Sequence, residues 1–256
     1  MDILTAAILG IVEGVSEFLP ISSTAHLILT SQILKIQQTD FLKSFEIAIQ
    51  LGAILSVVVL YGRRFLVDRK VAARVIAAFI PTAVIGFVFY KIIKKVLFDS
   101  NATILWALLL GGVFLVVFEL LHREKDDAID DLSSVSYPQA FLIGVFQSIA
   151  VIPGVSRAAA TIIGGLFLGL KRKTIVEFSF LLAVPTMGAA VALDLIKSAG
   201  TFTAENFLCL GVGFVVSFIV ALASIKLLLG FIKHHNFIPF GIYRVVLAVS
   251  LLLAGF

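Results

Sequence analysis

The chain has 256 residues, of which 60% are hydrophobic and only 14% charged, with a mean hydropathy of +1.12. Soluble domains carry about a quarter charged residues, so this balance excludes a soluble enzyme and leaves no polar block for a large extramembrane domain. The net charge of +4 carries no argument for nucleic acid, and no nucleic-acid partner is expected.

The expected class is an all-α integral membrane protein, because backbone polar groups in lipid must be satisfied within helices. A single cysteine, Cys209, excludes an intrachain disulfide and reads as a packed residue in an apolar run. The N-terminus lacks the positive start and small-residue cleavage site of a signal peptide, so this segment is expected to be retained.

In chain order, residues 2–19 fall near the lower limit for a span and end at Pro20, while residues 21–34 are too short to cross. Together they read as a re-entrant pair, two half-helices meeting at Pro20. Spans are predicted at 41–61, 75–95 and 102–121, separated by a basic loop at 63–74 and a short turn from Phe98 to Asn101. The polar run HREKDDAIDD, from His122 to Asp131, is a surface loop. The order then repeats. Apolar pieces at 138–152 and 155–170 are broken at Pro153-Gly154, the basic knot Lys171-Arg172-Lys173 follows, and spans are predicted at 174–196, 206–232 and 239–255.

The halves also agree residue by residue. A shift of 133 carries Pro20 onto Pro153, Ser23 onto Ser156 and Phe45 onto Phe178, and a shift of 134 carries Gly10 onto Gly144 and Glu13 onto Gln147. Three spans per half is odd, so the second half is expected upside down relative to the first, with its broken helices meeting the others at the midplane. The expectation is one polytopic domain, residues 1–256, with six transmembrane helices and two re-entrant helix pairs in an inverted-topology repeat. Its halves are 1–122 and 138–256, joined by a cytoplasmic loop at 123–137. The excess of Lys and Arg around 63–74, 123–125 and 171–173, with Lys226, Lys233 and Arg244 counted on the same side, sets that orientation.

Polar residues at membrane depth mark function by default. Glu13 and Glu17, four apart, share a helical face. Their repulsion needs relief from a proton, an arginine or a divalent cation. After Pro20, Ser22, Ser23 and Thr24 open the next half-helix. They are ordinary caps by type, yet a helix N-terminus also suits phosphate. His26 shares a face with Ser22 and Ser23. In the second half, Gly154 allows close backbone approach and Ser156-Arg157 opens a helix again. Arg157 reads as the one cation deep inside an apolar segment, fit to grip an anion or to pair with Glu17 or Glu46. Glu46 and Gln50 read as supporting groups, and Gly111, Gly112, Gly211 and Gly213 as helix-packing positions. Two anion-binding turns, an arginine, two carboxylates, hydroxyls and a histidine suit a phosphate or diphosphate with a bridging metal.

The residues from Glu13 to His26, EGVSEFLPISSTAH, resemble the EG-x-x-EFLP-[IV]-SST-x-H motif of the bacterial undecaprenyl-diphosphate phosphatases of the bacitracin-resistance type. Pro153 to Arg157 resembles that family's PG-x-SR motif, and Phe45 to Ile54 is similar to its first-span signature. The resemblance runs over the whole chain. It implies hydrolysis of undecaprenyl diphosphate to the monophosphate, recycling the cell-wall lipid carrier and conferring bacitracin resistance. It further implies a multi-pass protein of the bacterial inner membrane, an active site facing the periplasm or exterior, a divalent cation (Mg²⁺ or Ca²⁺), and dimers among family members. Carried over, Glu13 and Glu17 are the acidic pair and metal ligands, Ser23, Thr24 and His26 the hydroxyl and imidazole positions, and Ser156, Arg157 and Thr161 the second motif. Where the family usually continues SRSGAT, this chain has Ala158 and Ala159.

The nucleophile is left open between Ser23, His26 and a water. Inverted repeats with midplane breaks also serve transport, so a polyprenyl-phosphate flippase using the same site is the alternative. The carboxylate pair and His26 beside Ser23 favour hydrolysis.

Overall fold

The computed structural model describes residues 1–37, 39–92, 101–197 and 206–255. Among these, regular structure is helical apart from one isolated bridge between Ile129 and Leu170. Ten α-helices follow in order: α1 (Ile3–Ser16), α2 (Ser23–Ile33), α3 (Asp40–Val67), α4 (Arg69–Ile92), α5 (Asn101–Leu121), α6 (Tyr137–Ser148), α7 (Arg157–Phe167), α8 (Arg172–Lys197), α9 (Asn206–Phe231) and α10 (Ile238–Leu253).

Five of them, α3, α4, α5, α8 and α9, are long and apolar enough to cross a membrane. The sixth predicted span, 239–255, corresponds to the 16-residue α10, which is apolar but shorter than these five and not long enough by itself to count as a sixth. Helices α1, α2, α6 and α7 have 14, 11, 12 and 11 residues. At about 1.5 Å per residue none reaches across a hydrocarbon core of about 30 Å.

The breaks fall where the sequence puts them. α1 stops before the turn that contains Pro20, and α6 runs into a single 3₁₀ turn, Ile149–Val151, ahead of Pro153-Gly154. Helix starts are capped by side chains: Thr5 N donates to Asp2 Oδ1 at 2.7 Å, and Ser136 forms a capping box with Gln139.

The loop predicted at 63–74 is a correction. α3 continues through Val67 and α4 begins at Arg69, so Asp68 alone separates them. Lys and Arg are good helix formers, and the Asp68 carboxylate accepts from Lys70 N and Val71 N to start the next helix. The turn predicted at Phe98–Asn101 lies outside the described residues as far as Ser100.

Packing crosses between the halves. α1 lies on α9, α6 on α4, α5 on α10, and α3 on both α8 and α9. Close backbone approach makes these contacts possible. A Cβ at Gly10 would lie 2.7 Å from the Gly213 carbonyl, and one at Gly144 would overlap the Ala78 carbonyl. Gly10 and Gly144 are the residues that the 134-residue shift pairs, and each meets the other half. Gly213 and Gly112 also serve packing, whereas a side chain at Gly211 would meet open space. The main apolar core gathers around Phe18, Phe178 and Phe180, with Phe18 edge-on to Phe180 at 5.3 Å.

At one end of the bundle, ion pairs tie the linker to the basic helix ends. Arg64 reaches Asp131 at 3.3 Å and Glu177 at 3.2 Å, Lys171 reaches Asp130 at 3.3 Å, and Arg172 reaches the buried Glu119 at 2.6 Å.

Candidate active site

Both breaks open onto one cavity of about 200 Å³. The first supplies Glu17, Ser22, Ser23 and Thr24, and the second supplies Pro153, Gly154, Ser156 and Arg157. Gln50, Thr82, Thr186 and Met187 complete the wall from α3, α4 and α8. Residues far apart in sequence meet here because each break interrupts a helix inside the bundle, leaving first-turn N–H groups without intrahelical acceptors.

The centre is a chain of three side chains. Arg157 Nη2 donates to Glu17 Oε1 at 3.0 Å, and Ser23 Oγ donates to Glu17 Oε2 at 2.5 Å. The side chains of Arg157 and Glu17 are 11% and 5% exposed, so the pair is shielded from bulk water. Arg157 is aimed by Nη1, which donates to the Ser179 carbonyl at 2.8 Å, and its guanidinium lies over the Phe18 ring. One edge of the fork is thus fixed to protein while the other faces the acid.

The two N-cap serines adopt the same unusual backbone. Ser22 has φ 73° and Ser156 has φ 71°, the left-handed region that non-glycine residues rarely occupy. By backbone geometry Ser22 corresponds to Ser156, whereas the 133-residue shift pairs Ser156 with Ser23. The second break is one residue longer after its proline, which moves the register by one. Ser156 Oγ accepts from Ala159 N at 3.2 Å, while Ser22 makes no such cap bond and its side chain is left to the cavity.

Three sequence-predicted residues do not line the cavity. Glu13 is fully buried, with neither carboxylate oxygen hydrogen-bonded among the described residues, within electrostatic reach of Glu17, Glu46 and Arg157. Thr161 is buried one turn below Arg157, donating to the Arg157 carbonyl at 2.8 Å. His26 sits beside the cavity, with Nδ1 2.7 Å from the Ser22 carbonyl and Nε2 2.7 Å from the Tyr243 hydroxyl, its ring stacked on Tyr243. It is not hydrogen-bonded to Ser23, whose hydroxyl is taken by Glu17.

A metal ion has a chemical fit here. Among the described residues no three His, Cys, Asp or Glu side chains converge as a closed metal site. Yet Glu13 presents two buried oxygens without partners, on the same helical face as Glu17. Mg²⁺ is commonly held by one or two carboxylates plus phosphate oxygens and water, and both Mg²⁺ and Ca²⁺ take oxygen ligands. The acidic pair meets that requirement.

Residues 6–250 match the family model "Bacitracin resistance protein BacA". The chain belongs to the BacA family. Its similar relatives include proteins named undecaprenyl-diphosphatase from Aquifex aeolicus (54% identical over 95% of each chain), Sulfurihydrogenibium sp. (55%, over 97% of this chain and 98% of the relative) and Persephonella marina (51%, over 99% of each). The family departure at Ala158 and Ala159 leaves the cavity untouched in this BacA-family chain. Both residues are buried, and Ala158 packs in the main apolar core.

Gln147, among the weaker polar signals of the sequence, lines the cavity, whereas sequence reasoning passed over Thr82, Thr186 and Tyr243. Gln147, the counterpart of Glu13, has Nε2 donating to Thr82 Oγ1 at 2.8 Å and Thr186 Oγ1 at 3.1 Å. Each threonine follows a proline inside its helix, Pro81 or Pro185, a signal readable in the sequence. Tyr243 had no such signal. Arg244, counted above with the cytoplasmic cations, is instead wholly buried, so Arg157 is not the one deep cation. The reason for the error is that Arg244's partners are all backbone carbonyls, which leave no trace in composition.

Proposed function

We propose that this protein hydrolyses undecaprenyl diphosphate to undecaprenyl phosphate and inorganic phosphate. The observation that carries the reading is the Arg157–Glu17–Ser23 chain, which joins the two breaks across one cavity between membrane-spanning helices. The relatives' shared name supplies the substrate. The guanidinium fork and the first-turn N–H groups of both breaks bind the diphosphate. Ser23, with its proton already shared with Glu17, attacks the terminal phosphorus. The Ser23 Oγ–P bond forms, the bridging P–O bond breaks, Glu17 takes the proton, and undecaprenyl phosphate leaves. Water then hydrolyses the phosphoserine and returns the hydroxyl. Glu13 and Glu17 would hold the divalent cation, whose chemistry is neutralisation of phosphate charge. His26, bonded at both ring nitrogens, orients the start of α2 through the Ser22 carbonyl.

The same proposal extends to the architecture. α10 is the sixth span, and α1–α2 and α6–α7 are re-entrant pairs entering from opposite faces of the bacterial inner membrane, with the site open to the periplasm or exterior. Two features support it: exchanging the halves turns the α1–α9 contact into the α6–α4 contact, and both pairs are too short to cross.

The test is colourimetric phosphate release by purified protein in detergent, from undecaprenyl and farnesyl diphosphates, with and without chelator. Metal-dependent release is expected from both. A flippase releases none under these conditions, and that result would overturn the proposal.

A further inference from the structure

The second buried guanidinium has no part in the reaction as written above, yet it touches both breaks. Arg244, on α10, has no exposed surface. Its Nη1 donates to the Pro20 carbonyl at 3.3 Å and the Val155 carbonyl at 3.1 Å. Its Nη2 donates to the carbonyls of Gly154 and Ala107, both at 3.0 Å, and Nε to that of Leu108 at 3.4 Å. A guanidinium has five N–H donors, and here they meet five carbonyls drawn from the first break, the second break and α5. Space for the head group exists because residue 111 is glycine: a Cβ there would overlap Arg244 Nη2.

These carbonyls are not incidental ones. Pro20 leads into Ser22, and Gly154-Val155 lead into Ser156, the two serines with left-handed φ. Non-glycine residues hold such a conformation only when their surroundings impose it. A trans peptide points its C=O and the following N–H in opposite directions, and the described chain has no cis peptide. With the Val155 carbonyl turned to Arg244, the Ser156 N–H faces away from it, and Ser156 lines the cavity. Arg157, the phosphate-gripping residue, comes next in the chain.

We propose that Arg244 is a positioning residue for the reaction: it holds both helix breaks by their carbonyls and so aims their N–H groups, Ser23 and Arg157 at one phosphate. This rests on the phosphatase reading above. A lysine has three donors and no planar fork, so Arg244→Lys keeps the charge but cannot hold both breaks and α5 together. Gly111→Ala keeps Arg244 itself and displaces its head group.

The experiment is steady-state phosphate release from farnesyl diphosphate in detergent, with kcat and KM resolved and the thermal midpoint recorded for each variant. A displacement of about 1 Å in a positioned group can cost about 100-fold, so kcat is expected to fall by about that factor in both variants, with KM changed by less than about threefold. Arg172→Gln, which breaks the ion pair with Glu119 at the linker end, serves as the destabilised control and keeps wild-type kcat. Combining Arg244→Lys with Arg157→Lys is expected to give less than the product of the two single losses, because one acts through the other. Wild-type kcat in either folded variant, a kcat loss in Arg172→Gln matching that in Arg244→Lys, or strictly multiplicative losses in the double variant would overturn the proposal. Wild-type protein that releases no phosphate would instead overturn the phosphatase reading itself.

Discussion

Replacing Arg157 by methionine removes the centre of the site, and its two consequences can be separated. Glu17 is 5% exposed and its strongest partner is the Arg157 guanidinium at 3.0 Å. Deleting one member of a buried pair costs about 3–5 kcal/mol, because the other is left uncompensated, whereas replacing both by neutral groups is often close to neutral. Arg157→Met should therefore lower the thermal midpoint in detergent, and the double variant Arg157→Met with Glu17→Gln should recover most of that loss. Activity should behave differently. Losing one preorganised donor to a developing charge costs about 10²–10³ in kcat, and the double variant also loses the group that takes the Ser23 proton. Phosphate release is thus expected to fall at least about 10²-fold in the single variant and further in the double, while folding recovers. If the double variant turned over within tenfold of wild type, or if stability and activity rose together, the assignment of Glu17 and Arg157 to chemistry would be wrong.

Three further outcomes are expected. Chelation should abolish phosphate release and added Mg²⁺ or Ca²⁺ restore it, with Glu13→Gln raising the metal concentration for half-activity; unchanged metal dependence in that variant would remove Glu13 from the metal site. Tyr243→Phe deletes one hydrogen bond to His26, worth about 1 kcal/mol, so kcat should drop by less than about tenfold; a loss as deep as that of Ser23→Ala would make Tyr243 a participant. Restoring the family pattern with Ala158→Ser should leave turnover within about threefold and lower stability by about 1 kcal/mol, since the hydroxyl enters apolar core; a large gain in turnover would show that residue 158 reaches the substrate.

Much of this was readable from residues alone, for physical reasons. Proline disfavours a helix interior, and although α4 and α8 absorb Pro81 and Pro185, Pro20 and Pro153-Gly154 sit beside polar residues and announced the breaks. The apolar runs announced the helices between them, five of which are long and apolar enough to cross a membrane. Charge at membrane depth announced Glu17 and Arg157, and the structure brings them into contact. The failures share a cause as well. Arg244 is the seventh of the 16 residues of α10, and nothing in a sequence reports that five backbone carbonyls await it. The His26–Tyr243 contact spans 217 residues and belongs to no motif. The helical ends of 63–74 were hidden by charge, since hydropathy marks where lipid stops and not where a helix stops. The correspondence of Ser22 with Ser156 is a matter of φ, which sequence alignment cannot see.

The packing of α1 on α9 also constrains biosynthesis. About 190 residues separate the end of α1 at Ser16 from the start of α9 at Asn206. At roughly 5–20 residues per second, a ribosome needs on the order of ten to forty seconds to supply that partner. Until then Glu13 and Glu17 have no finished bundle around them, and the nascent amino-terminal hairpin must wait at the translocon or the lipid surface. Neither half, expressed by itself, contains the helix against which its own short pair docks, so separately made halves should regain function only when produced together in one membrane.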